Sequence, residues 1–137
     1  MKFTSYTASA DFNKDVLEIL NRHEIQNNII YKNIGDDKFM ATVKDDNGNV
    51  ILIATRTSPH PMVMYETDNI RSDEAVAFFT RFLVEHGIDV DFIMTEKELA
   101  KCFCEHYAKL TGKGYHNNES LVLGCNRIFW VKGLTKS

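Results

Sequence analysis

Proline is nearly absent from the 137-residue chain, and both copies, Pro59 and Pro61, fall within three residues of each other. Neither can donate to a strand ladder, so the chain is expected to leave a sheet at Ser58-Pro59-His60-Pro61. Cysteine is scarce too: Cys102, Cys104 and Cys125 are odd in number and lack framework spacing. That excludes a disulfide-stapled scaffold and implies free thiols in a reducing compartment. No apolar run reaches the roughly 18 residues of a membrane span, and the polar opening MKFTSYTASADFNKD has neither signal-peptide nor transit-peptide character. The expected setting is the cytoplasm, with no membrane partner. An excess of positive charge is also missing. Sixteen Lys and Arg stand against nineteen Asp and Glu, a net charge of -3 and a pI near 5.9, which argues against a nucleic-acid surface because phosphate neutralisation needs clustered cations. The nearest basic aromatic patch, Arg127, Phe129, Trp130, Lys132 and Lys136, reads as two packed rings beside solvated lysines.

What is present is the composition of a folded domain, 44% hydrophobic and 26% charged. A chain of this length buries roughly two-thirds of its unfolded surface, so a core forms without staples. We read residues 1–137 as a single domain, with a core over 1–128 and a tail, or the start of a linker to a second domain, over 129–137. No internal repeat or low-complexity segment interrupts it.

The most informative stretch is FMATVKDDNGNVILIATRTSPHPMVMY, from Phe39 to Tyr65. It reads as three consecutive strands, with Asp46-Asn47-Gly48-Asn49 supplying the positive φ of a tight hairpin and the prolines making the second break. Before it lie a short strand (KFTSYT), a helix from Asp11 as N-cap with Phe12, Val16, Ile19 and Leu20 inward, and a second helix over about His23 to Ile34, with Ile25, Ile29, Ile30 and Ile34 on one side and Gly35 as its stop. After it, Ser72 is expected to cap a helix with Asp73 and Glu74 in its first turn, Val76, Phe79 and Leu83 inward, and Gly87 at its end. Val90 to Met94 reads as a strand, and Thr95-Glu96-Lys97-Glu98 as a capping box for a helix burying Leu99, Phe103, Tyr107 and Leu110 and ending at Gly112. A last strand is expected over about Glu119 to Arg127.

The resulting order, β-α-α-β-β-β-α-β-α-β, predicts an α/β (α+β) fold with a mixed, mostly antiparallel central sheet flanked by helices. That order, with the blocks HEIQNNIIYKNI, Thr57-Ser58-Pro59-His60 and Leu110-Thr111-Gly112, resembles the GNAT superfamily of N-acetyltransferases, and within it the amino-terminal domain of bacterial GNAT-family proteins. The resemblance implies acetyl transfer from acetyl-CoA to an amine. It also implies a partner, either a second GNAT-like domain of the same protein or a homodimer mate.

One expected motif is missing. The family's Gln/Arg-x-x-Gly-x-Gly/Ala loop between the fourth strand and third helix turns backbone amides toward the cofactor pyrophosphate at a helix N-terminus. Here that connection is Glu66-Thr67-Asp68-Asn69-Ile70-Arg71-Ser72-Asp73-Glu74, without glycine and with carboxylates at positions 66, 68, 73 and 74. The degenerate position is Ile70, Arg71, Ser72, Asp73 and Glu74, and acetyl-CoA is expected not to bind this chain by itself. The similar-looking Lys109-Leu110-Thr111-Gly112-Lys113-Gly114 lies at a helix C-terminus, where amides face the wrong end of the dipole.

Other candidates are individual residues. Tyr107 falls near a tyrosine acid of some GNAT enzymes, with buried packing as the competing role. His60 is a stiffly held loop histidine, fit for a pocket or for general-base work but without an assignable acid partner. Glu24, Asn27, Asn28 and His60 would line the substrate groove if the helical pair keeps its family position. Cys102 and His106 are four apart on a helix, but two ligands do not make a metal site, so no metal is expected. Three functions remain: a GNAT-fold domain of an N-acetyltransferase that serves substrate recognition or domain packing, a complete small acetyltransferase with an atypical cofactor site, and an interaction or dimerisation module.

Overall fold

In the computed structural model of the chain, the backbone is described for residues 1–58, 60–121 and 127–136, and side chains through Gly112 except that of Pro59. Pro59 and Cys125 therefore lie outside the described residues. The elements are β1 (Lys2–Tyr6), α1 (Ser9–Asn21), α2 (Asn28–Lys32), β2 (Phe39–Lys44), β3 (Val50–Arg56), β4 (Met62–Glu66), a 3₁₀ turn (Thr67–Asn69), α3 (Asp73–Glu85), β5 (Phe92–Thr95), α4 (Lys97–Thr111), β6 (Lys113–Leu121) and β7 (Arg127–Lys136).

The three-strand meander forms as its turn residues require. Asp45 Oδ1 accepts from the amides of Asn47 and Asn49, and Gly48 takes φ 85°, which a side chain would resist. Both faces of the meander are covered, so its strands are apolar on both sides rather than alternating with polar residues. Ala41, Val43, Leu52, Ala54, Met62 and Met64 pack with Phe79, Leu83, Phe103 and Tyr107 of α3 and α4. The intervening Met40, Ile53, Val63 and Tyr65 pack with Phe12, Val16, Leu20 and Ile30 of α1 and α2. The sheet order is β1-β2-β3-β4-β5-β7-β6, and β4 with β5 is the parallel pair. Among the described residues no helix is long and apolar enough to cross a membrane.

Several boundaries depart from the sequence reading. The second helix shrinks to five residues, because 22–27 turn without becoming α-helical and Ile25 is exposed. Asn33, not Gly35, is its C-cap. The first helix begins at Ser9 behind Ala8, not at Asp11, and the Ser9 amide donates to Asp36 across the chain. Thr95 ends β5 and gives its hydroxyl to Met64 O at 2.7 Å, leaving Glu96 to cap α4 through the amides of Glu98 and Leu99. Leu110 is exposed one turn beyond Tyr107. The largest correction is at the C-terminal end. The single strand expected over about 119–127 has residues 122–126 outside the described residues; two strands, β6 and β7, lie on either side of them, and residues 129–136, read as tail or linker, belong to β7, which runs between β5 and β6. An isolated alternation cannot reveal which strand invades the sheet.

A partly buried polar cluster ties β1 to α1. Tyr6 donates to Asp15 Oδ2 at 2.5 Å, Lys44 Nζ reaches the same oxygen at 3.1 Å, and the Tyr6 hydroxyl also lies 3.0 Å from Thr42 Oγ1. Burial, then the bond to Asp15, pushes the Tyr6 phenol from 10.0 up to about 12, while that same bond holds the Asp15 carboxyl below its ordinary value. A raised folded-state pKa gives stability that is complete below pH 10 and lost between pH 10 and about 12. For Asp15 the sign reverses, with stability present above the unfolded value and lost as pH falls below it. Thermal melts of Tyr6→Phe against the parent chain are expected to show a shallower decline over that alkaline window. Parallel curves would contradict the assignment.

Candidate functional site

β4 and β5 pair over only two register positions, Met62 with Ile93 and Val63 with Met94, before they part. The opening between their C-terminal ends is a cleft of about 530 Å³. Tyr65 and Glu66 line it from β4, Asn69 and Arg71 from the following connection, Thr95 to Leu99 from β5 and the start of α4, and Gln26 from the α1–α2 loop. Ligands of open α/β sheets gather at such C-terminal strand ends.

Two helices begin at this opening, and at each N-terminus side chains of the chain itself take up two of the amides. Glu66, 5% exposed, accepts through Oε2 from the Ser72 amide at 2.9 Å and from Arg71 Nη1. Ser72 Oγ then takes the Ala75 amide at 3.2 Å, and Asp73 and Glu74 occupy the first turn of α3. At α4, Glu96 takes the Glu98 and Leu99 amides at 3.1 and 3.2 Å. Of the donors that would otherwise attract an anion, the Ser72, Glu98 and Leu99 amides are thus already paired with carboxylates and the Ala75 amide with a hydroxyl.

The rim is strapped. Arg22 makes a two-pronged contact with Asp68, Nε to Oδ1 at 2.9 Å and Nη2 to Oδ2 at 3.1 Å, holding the Asp68 carboxyl below its usual value. Gln26 and Asn69 exchange amide hydrogen bonds at 2.7 and 3.0 Å. Asp68 and Asn69 both take positive φ, 54° and 58°, a conformation these two residue types tolerate best among non-glycines. The Asp68 amide donates to the Tyr65 hydroxyl, and burial raises that phenol's pKa.

Of the expected groove residues, none lines this cleft. Glu24 and Asn28 are exposed. Asn27 is buried and donates to Leu20 O at 3.1 Å, bridging the end of α1 to the start of α2. Gln26, which the helix reading skipped, is the residue that reaches the cleft. The difference follows from treating 23–34 as one helix, since 22–27 are turns, in which the helical spacing of side chains does not hold. His60 lies before β4, at the opposite end from the cleft, in a recess of about 190 Å³ beside Asp89 and Asp91. Tyr107 is buried against Phe103 and accepts from the Val90 amide at 3.0 Å. Of the degenerate-loop residues, Ile70 is exposed, Arg71 and Ser72 close on Glu66, and Asp73 turns toward α4.

There Asp73 Oδ1 accepts from Cys102 Sγ at 3.2 Å and meets His106 Nε2 at 3.0 Å. The His106 bond, ahead of the Cys102 bond, lowers the Asp73 pKa. Burial, then Asp73, pushes the Cys102 thiol up to about 11. The packing of α3 on α4, which no sequence spacing encodes, brings the third group to the pair.

No family model matches the chain, and no curated protein matches it. Among solved structures, it is similar over 99% of its length, and 99% of the other chain, to the crystal structure of "a putative phosphinothricin N-acetyltransferase", with a TM-score of 0.55 at 14% identity. The chain has the GNAT-superfamily fold.

Proposed function

We propose that the chain is a GNAT-fold domain of an acetyl-CoA-dependent N-acetyltransferase that lacks a phosphate cradle of its own and serves recognition of the amine substrate. The carrying observation is the Glu66 carboxylate at the N-terminus of α3, bonded to Ser72 N and Arg71. A pyrophosphate at that place would have to displace a buried anion and then lie beside Asp73 and Glu74, so the residues present do not fit coenzyme A. The acidic lining of the cleft suits the other partner of an acetyl transfer. Arg71 and Glu66 are paired with each other, and of the other charged residues at the cleft Glu96 and Glu98 stand against Lys97. The likeness to a chain described as an N-acetyltransferase supports the reaction class. Catalysis then belongs to a second GNAT-like domain or a homodimer mate.

Calorimetric titration with acetyl-CoA tests the reading. The expected result is no saturable heat in the micromolar range, while primary amines raise the melting temperature by mass action. Micromolar acetyl-CoA binding would overturn it and favour a complete small acetyltransferase.

A further inference from the structure

We propose that Asp73, Cys102 and His106 form a binding site for a divalent transition metal of the zinc class. Cys102 and His106 stand one turn apart on the same face of α4, and Asp73 comes from the first turn of α3. One ligand atom from each lies within 4.8 Å of the others. In a tetrahedral zinc site, with Zn–S about 2.3 Å and Zn–N or Zn–O about 2.0 Å, neighbouring ligand atoms stand roughly 3.3 to 3.5 Å apart. The carboxylate oxygen is already 3.2 Å from the sulfur and 3.0 Å from the imidazole nitrogen. Small outward adjustments of those two edges, with closure of the third, place one ion within reach of all three.

The donor set is mixed in the way zinc favours: one thiolate, one imidazole and one carboxylate. On binding, the Cys102 S–H bond gives way to a sulfur–metal bond and its proton passes to solvent, so affinity falls in acid. Thiolate and carboxylate then neutralise a dication. Arg71, which also faces Cys102, and the positive end of α3 oppose the ion. Arg71 is offset by its pairing with Glu66. Asp73 is 74% exposed while Cys102 is buried, so the ion would enter from the Asp73 side and keep a solvent-facing fourth position. The site is separate from the amine-recognition reading, and either stands without the other.

The probe is Co²⁺, titrated under reducing conditions into the untagged chain. One equivalent is expected to produce a thiolate-to-cobalt charge-transfer band with four-coordinate ligand-field bands, and Zn²⁺ is expected to abolish both by displacement. Cys102→Ser should remove the charge-transfer band, Cys104→Ser and Cys125→Ser should keep it, and His106→Ala and Asp73→Asn should each weaken binding about tenfold or more. Absence of the band in the parent chain overturns the proposal, as does its persistence in Cys102→Ser. Asp73 is exposed, so Asp73→Asn is expected to fold even if the cysteine variant does not, and parental affinity in both Asp73→Asn and His106→Ala would equally sink the site.

Discussion

Glu66→Ala is expected to lower the melting temperature by about 10 °C, corresponding to about 2–3 kcal/mol in a chain of this size. Glu66 is 5% exposed and Arg71 36%, so the cost belongs at the lower end of that for breaking a buried pair, because the abandoned guanidinium can reach water. The Ser72 amide loses its acceptor as well, and the N-terminus of α3 loses its tie to the end of β4. Glu66→Gln keeps an acceptor for that amide and gives up the charge, so it is expected to retain roughly half of the lost stability. The functional readout runs the other way. With the carboxylate gone, the Ser72 amide and the cleft-lining Arg71 lose their anionic partner, and the alanine variant is expected to gain measurable affinity for inorganic pyrophosphate that the parent chain lacks. Parental thermal stability in Glu66→Ala would show that the carboxylate does not organise this helix start. Stability lost without any gain in anion affinity would show that Asp73 and Glu74 suffice to repel the phosphate.

The sequence made the meander legible because its signals are local: Asn47-Gly48 for one turn, the proline pair for the break, and apolar-rich runs around them. Ser72 and Gly112 were legible for the same reason, as the cap residues of α3 and α4. The missing glycines of the β4–α3 connection were visible too, since an absence needs no partner. What lay beyond reach required distance. Glu66 was one of four acidic residues in a loop, and nothing local says that it folds back onto Ser72. The pattern Thr-x-x-Glu at Thr95 is a local capping signal, whereas its hydroxyl is drawn to Met64 on the neighbouring strand. Gln26 needed the true length of α2, and the third member of the Cys102–His106 pair needed the docking of α3 on α4. Position 129–136 misled for a related reason. A strand that inserts between two others has no signature of insertion in its own residues.

Tyr107→Phe is expected to cost about 1–3 kcal/mol, because it leaves the fully buried Val90 amide without the acceptor it has at 3.0 Å. Tyr107→Ala adds the loss of a ring stacked on Phe103 at a centroid distance of 5.3 Å, bringing the total to about 3–5 kcal/mol. The ordering separates two roles for this residue. A tyrosine that delivers a proton in acetyl transfer acts through a hydroxyl open to substrate, so its phenylalanine variant keeps the parental melting temperature and loses turnover. A tyrosine that positions the entry to β5 does the reverse, and hydrogen exchange at the Val90 amide is then expected to accelerate in the phenylalanine variant while ligand affinity at the cleft stays near parental. β5 begins two residues after Val90 and supplies one wall of the cleft. An effect on amine affinity larger than the effect on stability would therefore mean that this hydrogen bond sets the spacing of β4 and β5, and unchanged exchange at Val90 would remove the structural role altogether.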